Sequence, residues 1–152
     1  MKNRKLQIEQ LSQKIEGYRS AEKVIRPSIG WVRTIRTSLG MSLEQLGRKL
    51  GITKQSTQSI ERREAEGSIT IKALDEVARA LDMKLVYGFV PIDGSIDNMI
   101  ERKARKLATE IVNRTSGSMR LEDQENSPER IKRAIEERTK EIMDEMPKIL
   151  WD

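Results

Sequence analysis

The apolar positions of this chain recur mostly at intervals of three and four, the period of a helix with one buried face. Ile8, Leu11, Ile15 and Tyr18 make a narrow stripe on a charged segment. That predicts a helix over 5–18, one that must pack on something else to be stable. Residues 20–30 interrupt the pattern as a linker, with Arg26-Pro27-Ser28 as a break. Trp31, Val32, Ile35 and Leu39 predict a short helix closed by Gly40, and Leu43, Leu46 and Leu50 form the buried stripe of the next. Ile71, Leu74, Val77, Ala78 and Leu81 give the core face of a helix over 70–81. Ile100, Ala104, Leu107 and Ile111 line 96–114, which Thr115-Ser116-Gly117 is expected to break. A last helix opens at Ser127-Pro128, carries Ile131, Ile135, Ile142 and Met146 on one side, and stops at Pro147 before an apolar tail, 149–152. Only residues 84–90 depart from this period. They are β-prone, end at Pro91, and predict one short strand whose partner would be the same strand of a second copy.

The punctuation between 42 and 63 narrows the reading further. Ser42 stands where an N-cap hydroxyl can accept from a first-turn amide. Gly51 ends that helix, because glycine enters the left-handed region without strain. Ile52 plugs the corner and Thr53 caps a second helix over 54–63, followed by a loop at Glu64-Ala65-Glu66-Gly67. Capped helix, glycine corner, capped helix also occurs in ordinary helical hairpins. Here, however, the second helix has almost no apolar residue besides Ile60, too few for a core hairpin. Its exposed face carries Lys54, Gln55, Ser56, Gln58, Ser59 and Arg62. The pattern points to a helix-turn-helix unit. Lys54, Gln55, Ser56, Gln58 and Ser59 are expected at base edges in a major groove, and Arg33, Arg36, Gln45 and Arg62 at phosphates.

Charge supports that assignment. The 152 residues carry a net +5, but residues 1–67 hold 14 Lys/Arg against 7 Asp/Glu, while 68–152 hold 15 against 17. The positive half is the one with the helix-turn-helix, as phosphate neutralisation requires. The chain has no Cys and no His, which removes thiolate sites, zinc chemistry and Ser-His-Asp catalysis. No nucleophile–base set replaces them, so no enzyme, metal or cofactor is expected. The charged start and the lack of a membrane-length apolar run predict a cytoplasmic protein, nucleoid-associated when on DNA.

Two resemblances extend the reading. Residues 29–91 resemble the phage-repressor-like (XRE) helix-turn-helix family through Met41-Ser42-Leu43, Leu46-Gly47, Leu50-Gly51-Ile52-Thr53 and Ile60-Glu61. Gly47 departs from the family's usual Ala, and Thr57 from its usual Val or Ile. The whole chain resembles a narrower family, mobile mystery protein A. The matching stretches are 30–36, Glu64-Ala65-Glu66-Gly67, 85–91, Met119-Arg120-Leu121-Glu122 and Leu150-Trp151-Asp152.

That second resemblance implies a Fic-domain partner of the mobile mystery protein B type, an AMP-transferring toxin. It implies an antitoxin role and repression of the chain's own operon. It also draws attention to Ser118-Met119-Arg120-Leu121-Glu122-Asp123, which fits five positions of the Fic-inhibitory helix Ser/Thr-x-x-x-Glu-Gly/Asn. Ser118 and Glu122 would be its toxin-inhibitory pair, and Asp123 departs from the last position.

The expected architecture is mainly α. An N-terminal helix and linker (1–28) precede a helix-turn-helix domain with a C-terminal strand (29–91) and a helical partner-binding region (92–152). The protein is expected to bind double-stranded DNA as a homodimer. The rival reading is a stand-alone XRE regulator whose terminal helices serve dimerisation. A third is an interaction protein in which the helix-turn-helix is only structural.

Overall fold

A computed structural model of the protein describes residues 2–121 and 127–152. They contain seven α-helices, α1 Lys2–Glu16, α2 Trp31–Ser38, α3 Leu43–Leu50, α4 Lys54–Glu66, α5 Ile71–Ala80, α6 Ile96–Leu121 and α7 Pro128–Glu145. Short 3-10 turns occupy Arg19–Lys23 and Lys148–Trp151. The chain divides into two compact units, residues 20–88, and residues 1–19 together with 89–152.

In the 20–88 unit, Val32, Leu46, Val77 and Leu81 form the buried core, with Ile35, Met41, Leu50, Ile60, Leu74 and Ala80 packed around it. Local chemistry sets the helix limits. Ser42 Oγ accepts from Gln45 N at 3.1 Å while Gln45 Oε1 accepts from Ser42 N at 2.8 Å, a reciprocal cap. Gly51 closes α3 at φ +71°, and Thr53 Oγ1 accepts from Ser56 N at 3.0 Å to open α4. Several expectations fail here. Leu39 and Ile71, at the C-terminal end of α2 and the first position of α5, are 59% and 57% exposed. The expected loop 64–67 is instead the last turn of α4, closed by Gly67 at φ +81°. Within the expected linker, Arg26 donates to the backbone and carboxylate oxygens of Glu64.

The expected short strand is not found in the single chain. Among the described residues there is no strand, and no backbone–backbone hydrogen bond involves residues 84–90. A strand exists only through a neighbour, and the described residues of a single copy supply none.

The second unit is a helical hairpin of α6 and α7 with α1 laid on it. Ile96, Ile100, Ala104 and Ala108 of α6 meet Ile142, Met146 and Leu150, and Ile8 and Ile15 of α1 pack against that row. The stripe on α1 is therefore used, although Leu11 is 49% exposed. Arg4 donates to the Met146 carbonyl oxygen at 3.1 Å and Lys5 pairs with Asp144 at 3.1 Å, which fixes α1 beside the end of α7. The expected break at 115–117 does not occur. Thr115 donates its hydroxyl to the Ile111 carbonyl at 3.1 Å without leaving the helix, and one glycine costs only about 1 kcal/mol. Ser127 does cap α7, accepting from Arg130 N at 3.2 Å. At the start of α6, Asp93 accepts from Arg102 Nε at 2.9 Å, and this bond and charge raise the Arg102 pKa above its ordinary value. No helix among the described residues is long and apolar enough to cross a membrane.

Candidate nucleic-acid interface

Helix α4 has two chemically distinct faces. Thr57, Glu61 and Glu64 are buried, with Ile60 half-buried beside them. Lys54, Gln55, Gln58 and Arg62 are exposed, with Ser59 half-buried. A helix whose inward face is this polar is held by directed bonds. Arg36 of α2 grips Glu61 through two parallel contacts, Nε to Oε2 at 2.6 Å and Nη2 to Oε1 at 3.1 Å, while Nη1 donates to the Met41 carbonyl oxygen at 2.8 Å. One turn further on, Glu64 Oε1 accepts from Val32 N at 2.8 Å. That amide belongs to the first turn of α2, whose own N-cap, Gly30, has no side chain to satisfy it. Gly30 lies at φ +89°, and a Cβ there would sit 3.1 Å from Glu64 Oε2 and 3.2 Å from Ala65 Cα. The absence of that atom lets α2 approach α4 closely enough to be capped by it.

Between α2 and α4 an open groove gathers Arg33, Gln55, Gln58, Ser59 and Arg62. Among the described residues, none of these five side chains makes a hydrogen bond or ion pair. They are amide, hydroxyl and guanidinium groups facing solvent without internal duties. Of the other expected site residues, Arg36 also lines this groove, and Lys54, Ser56 and Gln45 do not. Lys54 is at the entrance of α4, in an exposed pair with Glu44 at 3.4 Å. Such a pair is worth about 0–1 kcal/mol and is easily exchanged for a phosphate. Ser56 accepts from the Thr53 hydroxyl at 3.0 Å in the first turn of α4. Gln45 lines a shallower surface with Arg48 and Lys49 and commits its amide oxygen to the α3 cap. Arg36 is a correction. Expected at a phosphate, it is 9% exposed and its guanidinium is taken up by Glu61 and Met41. Glu122 lies outside the described residues, and so does the side chain of Ser118.

The groove also contains apolar side chains that sequence reasoning did not assign to it. Leu43, expected in the buried stripe, is half-buried and lines the groove with Ile29, which is 45% exposed. The core of α3 begins only at Leu46, one turn later. The two departures from the usual pattern, Gly47 and Thr57, touch each other. A Cβ on Gly47 would meet Thr57 Oγ1 at 2.8 Å and the Ile52 carbonyl oxygen at 2.9 Å. Thr57 is fully buried and donates to the Thr53 carbonyl oxygen at 2.9 Å. A hydroxyl in this corner and a glycine opposite it are therefore one packing solution.

Residues 32–87 match the family described as HTH_3: Helix-turn-helix. No curated protein matches the chain. No solved structure matches it either. The matched span runs from the first turn of α2 through α5 and ends within residues 84–90, so residues 32–87 form an XRE-type helix-turn-helix domain.

Proposed function

We propose that this protein is a DNA-binding autorepressor that also acts as the antitoxin of a Fic-domain, AMP-transferring partner. The observation carrying the DNA-binding part is the groove of Arg33, Gln55, Gln58, Ser59 and Arg62 in a helix-turn-helix domain, with their polar ends uncommitted. Gln55, Gln58 and Ser59 come from the first half of α4 and present amides and a hydroxyl suited to base edges. Arg33 on α2 and Arg62 further along α4 flank them as phosphate contacts. The protein would act as a homodimer paired through 84–90, where Val86 and Tyr87 are 69% and 65% exposed and the backbone groups make no backbone–backbone hydrogen bond among the described residues. The Fic partner rests on the resemblance carried by residues 30–36, 64–67, 85–91, 119–122 and 150–152.

The DNA test is binding to the chain's own promoter across a salt series. Gln55→Ala and Gln58→Ala should each cost about 1–3 kcal/mol on the operator and little on random DNA. Equal losses on every sequence would remove α4 as the reading element. Val86→Pro should weaken self-association in sedimentation, and an unchanged dimer would move the interface away from 84–90. For the antitoxin role, the measurement is labelled-AMP transfer by the complex with a neighbouring Fic-domain protein. Glu122→Ala should release transfer while the complex persists, since it removes a charge-assisted contact, and Ser118→Ala should release less. A chain that neither binds nor silences such a partner is a stand-alone regulator.

A further inference from the structure

The groove between α2 and α4 has a definite chemical character, and the proposal below rests on the DNA-binding reading given above. Three of its side chains from the first half of α4 are neutral, the amides of Gln55 and Gln58 and the hydroxyl of Ser59. An amide offers one donor and one acceptor side by side, which matches N7 and N6 of adenine. Reading cytosine calls for a carboxylate to accept from N4. Among the described residues, the one carboxylate lining the groove, Glu61, already accepts from Arg36 with both oxygens, at 2.6 and 3.1 Å. Reading guanine calls for a cation near the N-terminal end of the reading helix. The cation at that end, Lys54, lies outside the groove and pairs with Glu44 at 3.4 Å, and among the described residues the groove's two cations without an internal partner lie away from it, Arg33 on α2 and Arg62 in the third turn of α4. Beside the amides stands Leu43, a half-buried apolar side chain outside the core cluster. In a major groove, an apolar group at that position would suit the thymine 5-methyl.

We propose that this surface selects A·T pairs in its half-site, with Gln55 and Gln58 on adenine edges and Leu43 against a thymine methyl. Leu43 is then a specificity-determining residue, spared by the core because α3 begins its buried row one turn later, at Leu46.

The experiment begins with selection of bound duplexes from a random pool by the full-length chain. A half-site with adjacent A·T pairs under α4 is expected. Thymine at each position is then replaced by deoxyuridine, which removes the methyl and leaves pairing intact. One position should lose about fourfold in affinity, the effect of burying one methyl-sized group. Leu43→Gln should lose that discrimination and bind the thymine and uracil duplexes alike. Replacing adenine by 7-deazaadenine should lower affinity for the native chain and have no effect on the Gln55→Ala or Gln58→Ala variant that read it. An enriched site with G·C under α4, or a deoxyuridine series that is flat at every position, overturns this assignment while leaving DNA binding intact. A pool from which no sequence is enriched overturns the DNA-reading function itself.

Discussion

In the 20–88 unit the side chains of Arg36, Glu61 and Glu64 are buried, and Thr57 is fully enclosed beside them. In the unit formed by 1–19 and 89–152, the buried polar residues among those described are the hydroxyls of Ser116 and Thr139. The rest of that core is aliphatic or methionine, with Ala104 and Ala108 fully buried on α6. The first unit therefore spends desolvation energy that the second does not. A buried ion pair rarely adds net stability over a well-packed apolar pair. What it adds is direction, since Arg36 meets Glu61 in a two-point grip that only one placement of α2 on α4 satisfies. Glu64 adds a third point through Val32 N. An apolar face with two alanines lets α6 and α7 approach closely, but its contacts carry little angular preference. The unit with the groove is the one in which helix placement has to be fixed.

The largest expected effect tests that contrast directly. Glu61→Ala leaves the Arg36 guanidinium buried without its partner and should destabilise the 20–88 unit by about 3–5 kcal/mol. Each unit holds one tryptophan, Trp31 and Trp151, so denaturation followed by fluorescence in single-tryptophan variants reports them separately. Only the Trp31 transition should move. The double variant Arg36→Met with Glu61→Leu should regain most of the stability and lose operator selectivity. Retained selectivity would show that the ion pair does not set the groove. The counterpart in the apolar unit is Ile142→Ala, which should cost about 2–5 kcal/mol and move only the Trp151 transition.

Gly47→Ala is the next smaller effect. The added methyl meets Thr57 Oγ1 and the backbone of Ile52, so a loss of about 1–3 kcal/mol is expected, seen as a lower denaturation midpoint. Thr57→Ala in the same chain should recover only part of it, because the Ile52 carbonyl remains at 2.9 Å. Full recovery would place the whole strain on the hydroxyl. The smallest effect should be alike in both units. Ser42→Ala and Ser127→Ala each remove one cap hydroxyl and should cost about 1 kcal/mol. A much larger loss at either would mean that the cap also carries tertiary contacts.

Legibility in the sequence followed the range of the interactions. Ser42, Gly51, Thr53 and Ser127 were readable because a cap or corner acts within three or four residues. The outward residues of α4 were readable too, since Gln55, Gln58, Ser59 and Arg62 follow from helical spacing. Arg36 was misplaced because an exposed-looking arginine at helical spacing resembles any phosphate contact until Glu61, 25 residues away, is brought beside it. Its signal was available only as a carboxylate on the inward face of α4, in line with Thr57 and Glu64.

The sequence by itself determined the number and approximate limits of most helices, the capped corner between α3 and α4, and the uneven division of charge. Those properties arise from neighbours in the chain or from composition. The tertiary structure decided which arginine is a strut and which are uncommitted, that Leu43 lines a groove instead of a core, and that Glu64 caps a helix 32 residues before it. It also joined α1 to the helices at the far end of the chain through Ile8 and Ile15. A stripe of apolar side chains states that a face will be buried and leaves its partner open. The partner is chosen by shape and by the pairing of buried charges, which exist only once distant segments meet.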